Sequence, residues 1–131
     1  METDMDKKVL LSEQAPKAAG PYSLGIRAGN LIFLSGQLGI DTKTGNFVEG
    51  GVEKQTEQAL TNLKNILLSN NMDMSKIVKT TVFLKDIKDF PNMNAVYSTF
   101  FGDAPPARST IQVAALPKDG LVEIEAIAVS I

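Results

Sequence analysis

The chain of 131 residues contains no cysteine, no histidine and no tryptophan. Without cysteine there are no disulfides, no thiolate zinc sites and no thiol nucleophile. Without histidine the commonest general base and the commonest metal ligand are both missing. A Ser-His-Asp hydrolase and an HExxH metalloprotease are therefore excluded. A basic excess is missing too: 13 lysines and arginines face 15 aspartates and glutamates, a net charge of −2. That balance argues against a nucleic-acid partner. No apolar run approaches the ~18 residues of a membrane span, so no membrane partner is expected. Residues 1–16 place acids ahead of their lysines and carry a single short apolar run, Val9-Leu10-Leu11. This does not fit a signal peptide, and the expected compartment is the cytoplasm.

What is present is ordinary for a globular protein, 44% hydrophobic and 21% charged residues. The length suits one domain over 1–131, with residues 1–6 expected to fray. Val9-Leu10-Leu11 reads as a short strand. Ser23 to Ala28 and Leu31 to Leu34 read as a hairpin turned at Gly29-Asn30, with Ser35-Gly36 at the far end of its second strand. Val52 to Asn70 reads as a helix, because Val52, Thr56, Ala59, Leu60, Leu63, Ile66 and Leu67 fall on one stripe. Lys76 to Ile87 reads as a strand with Val78, Thr80, Val82 and Leu84 on one face. Asp89-Phe90-Pro91 opens a second helix running to about Phe101. Ser109 to Ala115 and Leu121 to Ile131 read as strands, with Lys118-Asp119-Gly120 turning between them as a hairpin. The fold class is α+β, a mixed sheet with two helices on one face.

The last strand constrains the other face. Val122, Ile124, Ala126 and Ala128 form one side, and Glu123, Glu125, Ile127 and Val129 the other. Its second half is apolar on both sides, whereas a water-facing sheet alternates more cleanly. The uncovered face is expected to pack on identical chains; a loop or helix over it is the alternative.

Four places offer chemistry, each with a plainer reading. Gly20-Pro21-Tyr22 is a turn whose phenol is a possible donor into a pocket. Ser35-Gly36-Gln37 carries a strand-end glycine, which is usually a bulge or a turn and otherwise admits a ligand close to the backbone. Arg108, behind Pro105-Pro106, is either a surface charge or a preorganised carboxylate clamp, since a guanidinium forks onto a carboxylate through two parallel bonds. Glu123 is either solvated or, if partly buried, a base with raised proton affinity.

Taken together, Gly20-Pro21-Tyr22, Ser35-Gly36-Gln37, Val78-Lys79-Thr80-Thr81-Val82-Phe83-Leu84, Pro106-Ala107-Arg108-Ser109 and Leu116-Pro117-Lys118-Asp119 with Glu123-Ile124-Glu125 resemble the reactive intermediate deaminase A family, also called YjgF/YER057c/UK114. The likeness runs from about residue 8 to 130. It implies a chorismate-mutase-like fold, a homotrimer with inward-facing sheets, and clefts between neighbouring subunits. It also implies hydrolysis of 2-iminopropanoate and 2-iminobutanoate to 2-keto acids and ammonia, with no metal and no cofactor. By the same resemblance, Arg108 holds the substrate carboxylate, Glu123 positions the attacking water and Tyr22 stands at the cleft. Asn94, Ser35 and Gly36 line it. Thr110 falls where many members carry cysteine, which leaves its hydroxyl as a possible hydrogen-bonding substitute. A non-catalytic keto-acid sensor using the same cleft is the alternative. A ribonuclease, an activity reported for some relatives, is disfavoured by the acidic, histidine-free chain.

Overall fold

The expected hairpin forms. Strand β2 (Gly25–Ala28) pairs antiparallel with β3 (Leu31–Leu38), and β1 (Lys7–Leu10) adds antiparallel to β2. The computed structural model describes residues 6–131. The fraying expected of residues 1–5 lies outside the described residues; Asp6 is an exposed bend. Helix α1 (Gly51–Ser69) follows, then β4 (Ile77–Leu84), α2 (Phe90–Ser98), β5 (Ala107–Gln112) and β6 (Val122–Val129). The six strands make one sheet in the order β1-β2-β3-β6-β4-β5.

That order corrects the predicted hairpin at Lys118-Asp119-Gly120. β5 does not pair with β6; it lies parallel to β4, and β6 inserts antiparallel between β3 and β4. The physical reason is the side chains. β6 buries Val122, Ile124, Ala126 and Ala128, so it gains most at the centre of the sheet. β5, Ala-Arg-Ser-Thr-Ile-Gln, has little to bury and takes an edge. The helix between β4 and β5 supplies the crossover that a parallel neighbour requires.

Two bulges revise the predicted faces. β3 does not stop at Leu34 but continues to Leu38, and its register against β6 shifts between Leu34 and Gln37. The extra residue turns Gln37 inward to join Ile32 and Leu34. A second shift between Ile77 and Lys79 puts Ile77 inward and leaves Val78, expected inward, exposed. Helix α2 ends at Ser98 rather than near Phe101.

The stripe predicted for α1 is buried in full, and α1 packs on β3, β6 and α2. Its C-terminus stops at Asn70-Asn71 as expected. Asn70 Nδ2 donates to the Ile66 carbonyl at 2.7 Å, and Asn71 is left-handed at φ 64°. Three buried polar residues interrupt the apolar face; Thr56 Oγ1 has no partner among the described residues, and the other two are hydrogen-bonded. Asn62 Nδ2 donates to the carbonyls of Leu38 and Ile40. Gln55 Oε1 accepts from Leu121 N–H at 2.9 Å, pinning the entry to β6. Among the described residues no helix covers the opposite face of the sheet, and Leu31 and Phe33 there are 44% and 42% exposed. Among the described residues no helix is long and apolar enough to cross a membrane.

The start of α1 lies almost on the backbone of Gly39, where a Cβ would stand 2.5 Å from Gln55 Cα. Because that neighbour is backbone, no rotamer relieves the clash. Gly39→Ala is expected to destabilise the fold by about 1–3 kcal/mol or more, read as a lowered urea midpoint.

Candidate functional site

The sequence-predicted residues separate into two groups on opposite faces of the sheet. Arg108 is on the helix-covered side of β5. Its guanidinium carbon lies 4.6 Å from the Tyr97 ring centroid and 5.4 Å from that of Phe90. These two rings are seven positions apart and so share one side of α2. The Tyr97 hydroxyl pairs with Thr80 Oγ1 at 2.7 Å, fixing the ring to β4. Burial pushes the Tyr97 phenol's pKa up, opposed by the Thr80 hydrogen bond and the Arg108 charge. The Arg108 side chain is therefore positioned by cation–π contacts, yet among the described residues it has no ion pair and no hydrogen bond. It opens onto a crevice of about 400 Å³ with Asn94, Tyr97, Phe101, Pro105 and Pro106.

Glu123 faces the other way. It is half-buried beside Gly36, where a Cβ would come within 2.9 Å of its Cδ. The missing side chain is what lets the carboxylate lie across β3. Burial holds the Glu123 carboxyl's pKa above its ordinary value of 4.5, and the like charge of Glu125, two residues along the same face, adds to this. Glu123, Gly36 and Tyr22 line one cavity of about 650 Å³. The Tyr22 ring is 51% exposed. Its oxygen accepts from Ala19 N–H at 3.1 Å, which leaves the O–H free to donate.

Ser35 and Thr110 stand outside both spaces. Ser35 Oγ donates to the Ser23 carbonyl at 2.6 Å, tying β3 to the approach of β2. Thr110 Oγ1 is sealed from solvent without a hydrogen-bond partner. Arg108 and Glu123 are not brought together within one chain. Arg108 pairs with Thr80 on one side of β4 and Glu123 with Phe83 on the other. Three residues along and two strand spacings across put their backbones ~14 Å apart, with side chains on opposite faces. The sequence reading did not single out Tyr97 and Phe90 as the support for Arg108. Their i, i+7 spacing on α2 is the signal that carries it.

A raised carboxyl pKa in the folded state means that the fold binds this proton more tightly than the unfolded chain does. Ionised Glu123 therefore costs stability at neutral pH. The cost fades as pH falls through the raised pKa towards the ordinary 4.5. Glu123→Gln is expected to be more stable than wild type at pH 7, with the difference shrinking as pH falls towards 4.5 and gone below it. Paired urea titrations at the two pH values measure this.

Comparison with known proteins places these residues in a family. The model described as Endoribonuclease L-PSP matches residues 12–130. Over 123 residues the chain is 49% identical to the 2-iminobutanoate/2-iminopropanoate deaminase of Bos taurus, covering 94% of this chain and 90% of that one. Over 126 residues it is 50% identical to the chloroplastic Reactive Intermediate Deaminase A of Arabidopsis thaliana, covering 96% and 67%. The crystal structure of E. coli TdcF with bound serine superposes with a TM-score of 0.88 at 41% identity, covering 93% of this chain and 98% of that one. With a family model spanning both half-sites and relatives this similar along nearly the whole chain, the protein belongs to the endoribonuclease L-PSP (YjgF) family, which includes the reactive intermediate deaminases.

Proposed function

We propose that this protein is a hydrolytic deaminase of small 2-imino acids such as 2-iminopropanoate and 2-iminobutanoate, working in the cytoplasm as a homotrimer of single-domain, chorismate-mutase-like subunits. The observation that carries this reading is Arg108, a cation stacked on two rings at a crevice and left without a carboxylate. Relatives over most of the chain bear the deaminase name, and TdcF holds serine, a small carboxylate of the same frame.

The two half-sites need each other. Arg108 and Asn94 bind an anion but offer no base; Glu123 and Tyr22 offer proton chemistry, and the lysines of their cavity, Lys17 and Lys118, are point charges without the fork that orients a carboxylate. The bare, partly apolar face bearing Leu31, Phe33, Ile127 and Val129 gives a neighbouring copy reason to pack there. Such packing sets the Arg108 crevice of one subunit against the Glu123 cavity of the next.

In that cleft the substrate carboxylate forks onto Arg108. A water held by Glu123 attacks C2, the C=N electrons move to nitrogen, and a water proton passes to the carboxylate. That proton then goes to nitrogen, the C–N bond breaks, and ammonia leaves as the C2 hydroxyl gives up its proton to become the keto oxygen. Elevated proton affinity suits Glu123 to this exchange near neutral pH. Imines hydrolyse readily, so positioning and one proton relay of ~10²–10⁴-fold suffice. A keto-acid sensor needs the same Arg108 crevice but gives no use to a half-buried carboxylate beside Tyr22. RNA cleavage is not favoured in an acidic chain without histidine.

Arg108→Ala removes a charged hydrogen-bonded pair of about 1.5–3 kcal/mol, so kcat/KM for ammonia release from freshly generated 2-iminopropanoate is expected to fall about 10- to 150-fold. Arg108→Lys should lose much of the activity as well, because an ammonium cannot make the fork. Retained activity in Arg108→Ala counts decisively against the role. The shared cleft is tested by co-refolding Arg108→Ala with Glu123→Gln chains. Each is strongly impaired alone, and a random equal mixture should recover about a quarter of wild-type activity, because one cleft in each mixed trimer regains both residues. No recovery would place both residues in the same subunit's site.

A further inference from the structure

The cavity around Glu123 is much larger than the proposed substrates need. Its volume is about 650 Å³, within the range of pockets that enclose drug-sized ligands, whereas 2-iminobutanoate has only seven heavy atoms. Beyond Glu123 and Tyr22 its walls include Pro16 and the buried Ala15, Leu24 and Ile40.

One polar group stands out there. Gln37 is 5% exposed and lines the cavity. Among the described residues its side chain makes no hydrogen bond, and it is not one of the groups sealed away from all open space. Its amide therefore meets the cavity itself. An unpaired amide this deep costs stability unless something pairs with it.

The sheet also provides a way in. β2 pairs with β3 only as far as Leu34, so the edge of β3 beyond the bulge has no strand beside it. Gly36 occupies that edge with no side chain, and it touches Glu123 on the other face. A ligand whose reacting carbon lies at Glu123 can pass its side chain over Gly36 towards Gln37.

Resting on the deaminase reading, we propose that Gln37 forms a side-chain subsite that favours 2-imino acids ending in a carboxamide. Gln37 presents one donor and one acceptor face, and a carboxamide matches both at once. The charged lining residues are Lys17, Lys118, Glu13 and Glu123, two of each sign, so the lobe offers no net attraction to a charged terminus. The apolar walls accept the intervening methylenes.

The test compares two substrates in wild type and Gln37→Leu, which replaces the amide with an inward apolar side chain of nearly the same length. The imine of glutamine reaches the lobe; 2-iminopropanoate does not. The ratio of their kcat/KM values is expected to fall about tenfold in the variant, the loss typical of one unpaired polar contact. Ala15→Leu, which fills the lobe, should lower the same ratio. An unchanged ratio in both variants overturns the subsite. A second readout is independent of turnover. Calorimetric affinities for the corresponding keto acids, the carboxamide-ended one against pyruvate, should shift in the same direction. If wild type releases ammonia from neither substrate, the deaminase reading fails, while the affinity ratio still decides the subsite.

Discussion

The proposed chemistry depends on a guanidinium that, among the described residues, is held by two aromatic rings and by no carboxylate. Arginine at a sheet edge ordinarily finds a carboxylate or moves into water. Here the Tyr97 and Phe90 rings hold the Arg108 head while leaving its forked donors unspent. The support reaches into the core. Tyr97 is nearly buried and is hydrogen-bonded to Thr80 on a central strand, so the orientation of the cation is tied to the packing of α2 on the sheet. A preorganised cation of this kind binds an anion without first breaking an internal ion pair.

The second constraint is that the sheet itself divides the site. β5 carries Arg108 on the covered face and β6 carries Glu123 on the open one. On the proposed reading a single chain thus carries a binding half and a proton-transfer half on opposite faces, which would tie activity to assembly. The same separation keeps Glu123 away from its own Arg108, whose charge would hold the carboxyl low. Burial and Glu125 instead act in the opposite direction.

Local elements were legible in the sequence because each is governed by short-range periodicity. The α1 stripe, the Gly29-Asn30 hairpin and the Asn70-Asn71 stop follow from spacing and backbone preference alone. The bulges were legible only in part. Gly36 at a strand end reads as a bulge or a turn, and a bulge is what forms, but the glycine alone does not say which residue is extra, and that decides whether Gln37 or Gly36 points inward. The same holds at Ile77-Val78, where a one-residue shift reverses the faces. The predicted hairpin between the last two strands failed for a related reason. A turn sequence fixes a local reversal of direction, while the choice of strand partner is settled by which strand has the most apolar surface to bury.

By itself the sequence determined the chemistry on offer: no thiol, no imidazole, one arginine behind rigid prolines, and paired glutamates on an apolar strand. A last strand whose second half is apolar on both faces also led to the expectation that the uncovered side of the sheet packs on something. Only the tertiary structure decided which of those groups share a space, because that depends on strand order and on the faces set by the bulges. Both are outcomes of burial competition across the whole chain, with no counterpart in any local stretch of residues.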